Sequence, residues 1–220
     1  ALDPGGLRLS VVVPAHNAAS YLAVFLDALA ASTIPRDQWE LIVVDDSSSD
    51  STPDIAEPRA NRVIRAAGGA LGPAFARNRG AEAAEAPIIV FVDSDVMVHA
   101  DALALILENM EVTSVASIIG SYDDMPIDRG IVSQYRNLLH HYVHQHAERE
   151  VESFWAGLGA IRRDVLFAVG MFDEVRYTRP EMEDVELGYR LRDHHHRIRL
   201  DPRIQGSHLK RWTLTSMISS

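Results

Sequence analysis

Residues 87–95 constrain the fold more strongly than any other part of this 220-residue chain. The five apolar residues 88–92 are rich in β-branched types, which is typical of a strand buried on both faces of a parallel sheet. Asp93 and Asp95 follow directly, at the carboxyl end, where open α/β sheets bind ligands. Side chains at i and i+2 of an extended segment point the same way. The pattern therefore predicts a buried central strand that carries two converging carboxylates.

Two carboxylates held close together repel each other unless a positive charge lies between them. Oxygen ligands suit Mg²⁺ and Mn²⁺, and these ions usually also hold substrate phosphates. Asp93 and Asp95 are therefore candidate ligands of such an ion. The alternative is an ordinary polar turn after a core strand, with both aspartates solvated.

Predicted strands and helices alternate through the first half of the chain. Ser20 is predicted to cap the first helix, because a serine hydroxyl accepts well from the free N–H groups of a first turn. Alternation of this kind predicts a doubly wound, mostly parallel sheet. The strands are expected at residues 9–13, 39–44, 62–64 and 88–92, and the helices after residue 20, from about 53, at 74–84 and at 101–110.

The second half of the chain is less regular. The apolar pattern predicts a strand at 115–122, helices at 134–147, 160–169 and 184–192, a turn at 157–159 and a short last strand at 197–200. No repeat or linker interrupts the sequence, and the length suits one core. The chain is therefore expected to form a single domain over residues 1–220.

Composition excludes several classes of protein. The net charge of −10 argues against nucleic-acid binding, which depends on a basic surface. There are no cysteines, so disulfides and thiolate metal sites are excluded. No run of 18 apolar residues occurs, so no transmembrane helix is expected.

A series of ordered motifs resembles family-2 glycosyltransferases. The motifs are residues 14–17, 43–50, 72–80, 93–95, 154–163, 170–174, 183–188 and 208–212, and the resemblance spans about 8–214. It implies the GT-A fold, an α/β architecture with a Rossmann-like nucleotide-binding half and a mixed, mostly parallel central sheet flanked by helices. Residues 8–110 would form the nucleotide-binding half, and 111–214 the half that binds acceptor and carries the catalytic base. The implied reaction moves a sugar from a nucleoside diphosphate sugar, most simply a UDP-sugar, to an acceptor hydroxyl with inversion.

The resemblance also implies which residues bind the donor. Asp46, and after it Asp45, would accept a hydrogen bond from the pyrimidine ring. The alternative for Asp46 is an Asx turn that caps the next helix. Arg77 would face the phosphates, and Gly157 would let the backbone approach the sugar. The full set is Pro14, His16, Asp45, Asp46, Arg77, Asp93, Ser94, Gly157 and Lys210.

The same resemblance implies which residues bind the metal ion and which residue acts as the catalytic base. Asp95 would bind Mn²⁺ or Mg²⁺ directly, Asp93 would reach the metal through water or contact the ribose, and His208 would be a further ligand. Asp184 would be the general base, with Glu183 as its partner. The alternative for both acids is the preference of carboxylates for helix N-termini.

Other functions stay open at this point. They are a retaining transferase on the same fold, a nucleotidyltransferase and a non-catalytic nucleotide-binding domain. The acceptor, a sugar or a lipid-linked molecule, would bind the second half, where a helix carries His140 and His144 at a spacing that also suits a metal. The expected location is cytoplasmic, at the cytoplasmic face of the membrane.

Overall fold

A computed structural model describes residues 6–112 and 114–212. Within these residues, nine strands form one sheet. The strands are β1 (Leu9–Ala15), β2 (Trp39–Asp45), β3 (Arg62–Arg65), β4 (Ile88–Val92), β5 (Val96–Val98), β6 (Ser117–Tyr122), β7 (Glu150–Val151), β8 (Leu158–Arg162) and β9 (Ile198–His208). The helices are α1 (Leu22–Ala30), α2 (Thr52–Ala56), α3 (Pro73–Ala83), α4 (Ala102–Met110), α5 (Ile131–His146), α6 (Arg163–Ala168) and α7 (Glu183–Asp193).

The sheet is mixed, in the order β3-β2-β1-β4-β8-β6-β9-β5, with β7 paired to β9. The first four strands in this order run parallel, as the alternating pattern predicts. β8 then pairs antiparallel with both β4 and β6, and β6 pairs parallel with β9. The sheet therefore continues without a break from the first half of the chain into the second.

β4 lies in the interior and is buried on both faces, as predicted. Ile88, Val90 and Val92 join the core on one face, where the apolar residues of α1 and α4 also pack. Ile89 and Phe91 join the core on the other face, together with residues of α3, α6 and α7. Helices thus cover both faces of the sheet, and loops at its edge are left to form a site.

Several local predictions are wrong. Ser20 does not cap α1, because Tyr21 occupies the N-cap position and no side chain caps that helix. The turn predicted at 157–159 is wrong from Leu158 on, because Leu158–Arg162 form β8, which the glycines and the short apolar run concealed. The helix predicted at 160–169 begins later, as α6 (Arg163–Ala168). The last strand is not short, because β9 has 11 residues and runs through Pro202 and Gly206. The sequence pattern also missed β5 and β7.

The structure was also searched for helices that could span a bilayer. Among residues 6–112 and 114–212, none combines the length and apolar character that this requires.

Candidate active site

Loops from β1, β2 and β4 meet at one edge of the sheet. Parallel pairing places Ala15 of β1 beside Asp45 of β2, so that His16 and Asp46 follow side by side. The Nδ1–H of His16 donates to the backbone carbonyl of Asp46 at 2.6 Å. Pro14 is half-buried within β1, just before this contact. The residues predicted to bind the nucleotide base are therefore close together.

The two aspartates at the end of β2 have different surroundings. The Asp46 carboxylate accepts hydrogen bonds from the backbone N–H groups of Leu71 (2.9 Å) and Gly72 (2.8 Å), so it holds the glycine-rich loop. Asp45 is equally buried, but its Oδ1 has no hydrogen-bond partner within the described part of the chain. Buried polar atoms normally have partners. Asp45 is therefore better placed than Asp46 to accept a hydrogen bond from a ligand, the reverse of the sequence-based order.

Arg77 on α3 joins two parts of the site. Its guanidinium donates to Asp93 Oδ1 and to Glu183 Oε1, each at 2.8 Å, and its side chain is 5 % exposed. The neighbouring carboxylates outweigh burial and raise the pKa of Arg77, so it stays charged. This differs from the predicted phosphate contact, because both terminal nitrogens already donate to carboxylates.

Asp93 and Asp95 have different partners. Asp93 is bound by Arg77, whereas the Asp95 Oδ2 lies 3.5 Å from Nε2 of His208 at the end of β9. Partial burial, together with the charges of Asp95 and Asp184, raises the pKa of Asp93, and Arg77 opposes that rise. The charged form of the Asp93 carboxylate is therefore stabilised only while Arg77, or another cation, lies beside it.

The pair of Asp95 and His208 suits a divalent cation. Ligand atoms about 2.1 Å from an ion and at right angles lie about 3.0 Å apart, so atoms 3.5 Å apart can share one ion. His208 is 4 % exposed, and its Nδ1 has no partner among the described residues. In residues 6–112 and 114–212, no group of three or more histidine or acidic side chains is close enough to bind a metal. A site of two protein ligands is what Mg²⁺ or Mn²⁺ uses when substrate phosphates complete its shell.

Asp184 lies in the first turn of α7. Its Oδ2 accepts from the backbone N–H of Ala156 at 3.2 Å, and its Oδ1 accepts from that of Val185 at 2.8 Å. Burial raises the pKa of Asp184, and the nearby charge of Arg77 partly offsets that rise. A fixed carboxylate with a raised pKa is suited to accept a proton.

Glu183 is less suited to this chemistry. It is buried, and it accepts from Arg77 and from the backbone N–H of Glu181 (2.9 Å). Its carboxylate therefore fixes α7 against α3 and is not available as a partner base.

Three other predicted donor residues have contacts of their own. A Cβ on Gly157 would lie 2.6 Å from Nε1 of Trp155, so an indole ring fills the space that was expected for a sugar. Ser94 is buried, and its hydroxyl lies close to that of Tyr21. Lys210 is exposed, with its Nζ 5.1 Å from the centre of the Trp212 ring.

A pocket of about 380 Å³ lies beside these residues, between α5, the end of β6 and the side chains of Trp155 and Trp212. We call it the aromatic pocket. Its walls include Tyr122, Asn137, His140, Trp155 and Trp212. Burial and the neighbouring His144 lower the pKa of His140 to about 3, so its imidazole is neutral at pH 7.

Sequence reasoning placed the acceptor in this half of the chain and considered His140 as a metal ligand, but it gave Tyr122, Asn137, Trp155 and Trp212 no individual role. Trp155 and Trp212 lie inside motifs, which was an available signal. Nothing in the sequence singles out Asn137.

The histidines of α5 mainly hold that helix to the sheet. Nδ1–H of His141 donates to the carbonyl of Tyr122 at 2.8 Å, and that of His144 donates to the carbonyl of Gly120 at 2.9 Å. These bonds fix the wall of the aromatic pocket relative to β6.

Comparison with known proteins gives a family match. Residues 10–170 match the family described as glycosyl transferase family 2. Over 101 residues the chain is 34% identical to poly(ribitol-phosphate) beta-N-acetylglucosaminyltransferase TarS of Staphylococcus aureus (strain Mu50). That match covers 44% of this chain and 18% of the relative.

Solved structures share the fold. TarS residues 1–349 from S. aureus in complex with UDP-GlcNAc align with a TM-score of 0.74 at 22% identity, over 97% of this chain and 61% of that chain. A mannosyltransferase from Pyrobaculum calidifontis in complex with GDP-Man and Mn²⁺ aligns with a TM-score of 0.72 at 24% identity, over 95% and 59%. The chain thus spans less than two thirds of the length of these relatives. At these identities the likeness establishes the fold, which is the expected GT-A fold.

Proposed function

This chain belongs to glycosyl transferase family 2, and we propose that it transfers a sugar from a nucleoside diphosphate sugar to an acceptor hydroxyl, with inversion and with a divalent metal ion. The donor would be a UDP-sugar, and residues 1–220 would form a single catalytic domain. The continuous sheet through both halves supports the single domain. The relatives' names support the class of donor, since one solved structure contains UDP-GlcNAc and another GDP-Man.

The observation that carries the proposal is the link that Arg77 makes between β4 and α7. One guanidinium binds Asp93, beside the candidate metal ligand Asp95, and Glu183, beside the candidate base Asp184. A donor phosphate at Asp95 and an acceptor hydroxyl at Asp184 would therefore be held in a fixed relation. Holding two reactants in a fixed geometry is a large part of catalysis.

Asp95 and His208 would hold Mn²⁺ or Mg²⁺, and Asp93 would complete the site through water or bind the donor ribose. With these residues holding it, the ion would supply the positive charge that offsets the negative charge of the leaving nucleoside diphosphate. Asp45 would accept from the ring N–H of uracil, with Pro14 and His16 beside it. Asp46 would hold the loop at Leu71 and Gly72. Lys210 would approach the diphosphate from the solvent side.

Asp184 would take the proton of the acceptor hydroxyl as its oxygen attacks the anomeric carbon. The attack comes from the face opposite the leaving diphosphate, so the configuration inverts. The raised pKa of Asp184 supports this role, because a carboxylate that is less stable when charged is a stronger base. Arg77 would hold the carboxylates of Glu183 and Asp93 in place beside it.

The test is the stereochemistry of donor turnover in the presence of Mn²⁺. UDP-glucose and UDP-GlcNAc, both α-linked, are incubated with the protein, and the first released sugar is followed by proton NMR. We expect the β-anomer and UDP, with the rate strongly reduced in Asp184→Asn. Release of the α-anomer would favour a retaining transferase. Release of sugar phosphate and UMP would point to diphosphate cleavage, and no turnover with any nucleoside diphosphate sugar would contradict the proposal.

We further propose that the protein works at a membrane surface, which fits a lipid-linked acceptor. One face of α5 exposes six apolar side chains at helical spacing, and we call this face the apolar stripe. Its members are Ile131, Tyr135, Leu138, Leu139, Tyr142 and Val143, each 39–88 % exposed. The exposed cations Lys210 and Arg211 lie close by, because Trp212 N–H donates to Ser133 of α5 at 2.8 Å. An apolar helix face with adjacent cations suits the surface of an anionic bilayer.

Sedimentation with phosphatidylglycerol vesicles tests this surface. We expect the wild type to co-sediment, and the double variant Leu138→Glu/Tyr142→Glu to stay in solution. Val175→Glu is the control, because Val175 is 88 % exposed and lies outside the stripe. Equal sedimentation of all three proteins, or none by the wild type, would contradict membrane binding by α5.

A further inference from the structure

Asn137 presents an unusual combination of burial and unused hydrogen-bonding capacity. It is 2 % exposed and lines the aromatic pocket. Neither its amide oxygen nor its amide nitrogen has a hydrogen-bond partner among the described residues. Leaving a buried donor and a buried acceptor unpaired is costly, and native structures rarely do so without a functional reason. The amide is therefore ready to bind a group that both donates and accepts.

Aromatic rings form much of the rest of the pocket wall, together with Leu139, Val143 and Arg136. The Tyr122 and Trp155 rings lie 5.0 Å apart at 83°, and the His140 ring lies 4.5 Å from each of them. A sugar ring has an apolar face of C–H groups, which suits the electron-rich faces of aromatic rings, and a rim of hydroxyls. A hydroxyl both donates and accepts, which is what the amide of Asn137 requires.

The pocket lies between the two parts of the catalytic site. The Tyr122 ring is 5.2 Å from the ring of His208, and Trp155 directly precedes Ala156, whose N–H binds Asp184. In the sheet order, β6, β8 and β9 lie on the opposite side of β4 from β1 and β2. A ligand in the pocket would therefore approach Asp184 from the side away from the nucleotide loops.

The charge of the pocket restricts its ligand further. Among the described residues that line it, Arg136 is the one charged group, and its guanidinium lies 3.8 Å above the centre of the Trp212 ring. His140 adds no charge at pH 7. This lining contains no carboxylate that would attract a cationic ligand.

We propose that the aromatic pocket is the acceptor site, that it takes a neutral sugar ring, and that Asn137 selects this ligand through its hydroxyls. This proposal rests on the proposed transferase function and adds the chemical class of the acceptor and a specificity-determining residue. Tyr122 and Trp155 would stack on the ring, and the reacting hydroxyl would point toward Asp184.

Tryptophan fluorescence gives a direct test. The chain has three tryptophans, two of which line the pocket, while Trp39 is buried in the core. Methyl β-D-glucopyranoside, methyl β-D-mannopyranoside and the methyl β-glycoside of N-acetylglucosamine are titrated into protein saturated with Mn²⁺ and UDP. We expect at least one to change the emission saturably, and the change to be reduced in Trp155→Phe. If none binds while UDP does, the pocket proposal fails and the donor site stands; if UDP itself does not bind, the transferase proposal fails.

Asn137→Leu separates a ligand-binding role from a structural one. The change keeps the size of the side chain and removes both hydrogen-bonding atoms. We expect sugar affinity to fall at least about tenfold, and the melting temperature of the free protein to rise by about 2–4 °C, because an unpaired polar group is removed. A lower melting temperature, or unchanged sugar affinity, would contradict the proposal.

Asn109→Leu is the matched control. Asn109 is also a buried asparagine on a helix, but its amide donates to Leu105 and Asp201. Its replacement should lower the melting temperature and leave sugar binding unchanged. Methyl β-D-glucuronide is the ligand control, and tighter binding of this anion than of the neutral glycosides would contradict a neutral acceptor.

Discussion

Arg77 and Glu183 lie 106 positions apart in the chain, yet their side chains form a hydrogen bond of 2.8 Å. Both side chains are nearly inaccessible, at 5 % and 6 % exposed. The contact holds the start of α7, and with it Asp184, against the helix that follows the glycine-rich loop. Because Arg77 also binds Asp93, a single side chain couples the end of β4 to the proposed base.

We predict that Arg77→Met lowers the free energy of unfolding by about 3 kcal/mol, because it leaves the buried Glu183 carboxylate without its cation. Asp93 adds less to this loss, since its side chain is 37 % exposed and water compensates it. Urea unfolding of the wild type and the variant measures the difference.

Arg79→Met is the control for that measurement. Arg79 is on the same helix and pairs with Glu82 and Glu174, but its side chain is 33 % exposed. Its loss should cost about 1 kcal/mol or less. Equal losses of unfolding free energy in the two variants would show that the buried ion pair of Arg77 stabilises the protein no more than the exposed pairs of Arg79 do.

Replacement of Asp184 should affect turnover without affecting donor binding. We expect Asp184→Asn to reduce kcat by about 10²–10⁴-fold, because a general base contributes about that much, and to leave the affinity for UDP unchanged. Glu186→Gln is the control, since Glu186 lies on the same turn and pairs with Arg190. A variant Asp184→Asn that keeps the wild-type kcat would exclude Asp184 as the base.

The rate of the wild type should also depend on pH in a definite direction. The base acts in its charged form, and burial raises its pKa above the usual 3.8. The rate should therefore rise with pH and level off above a pKa higher than 3.8. This step should be absent in Asp184→Asn, and a rate that falls over the same range would contradict the assignment.

The two aspartates after β2 should differ in their effect on base selectivity. Uracil has a ring N–H at position 3, whereas cytosine has an acceptor there. A carboxylate acceptor at Asp45 should therefore favour UDP over CDP by roughly 10–100-fold. We expect Asp45→Ala to lose this preference and Asp46→Ala to keep it, although the latter weakens the loop at Leu71 and Gly72. Calorimetric titration of both nucleotides measures it, and loss of the preference in Asp46→Ala alone would reverse the assignment.

The sequence was most informative where a pattern is local. Uninterrupted β-branched runs predicted β1, β2 and β4, because a strand buried on both faces needs apolar side chains on both. The acidic residues after those strands could be assigned to one edge of the sheet, because parallel strands place their carboxyl ends at the same edge. The partners of these residues could not be predicted, because the contact between Arg77 and Glu183 depends on how α3 and α7 pack.

Small residues misled the sequence prediction near β8. Gly157 and Gly159 are typical of turns, but both lie beside aromatic rings that need the space of a missing Cβ. The apolar run after Gly159 is too short to distinguish a strand from a helix by its periodicity. A correct prediction of β8 would have required knowing where the Trp155 ring lies.

A double-mutant cycle tests this explanation of Gly157. A Cβ at this position would lie 2.6–2.8 Å from three atoms of the Trp155 indole. We expect Gly157→Ala to cost about 1–3 kcal/mol of stability, as overpacking does, and to cost much less when Trp155→Leu is also present. Urea unfolding of the four proteins gives the coupling energy, and additive effects would show that the ring does not require the glycine.

The central claim is that Asp95 is the point at which a metal ion and a nucleoside diphosphate bind together. Calorimetric titration of UDP, with and without Mn²⁺, into the wild type and Asp95→Ala tests it most directly. The account predicts binding that requires Mn²⁺ in the wild type and is lost in Asp95→Ala. Binding of UDP that is equal with and without Mn²⁺, or that persists unchanged in a folded Asp95→Ala, would contradict it.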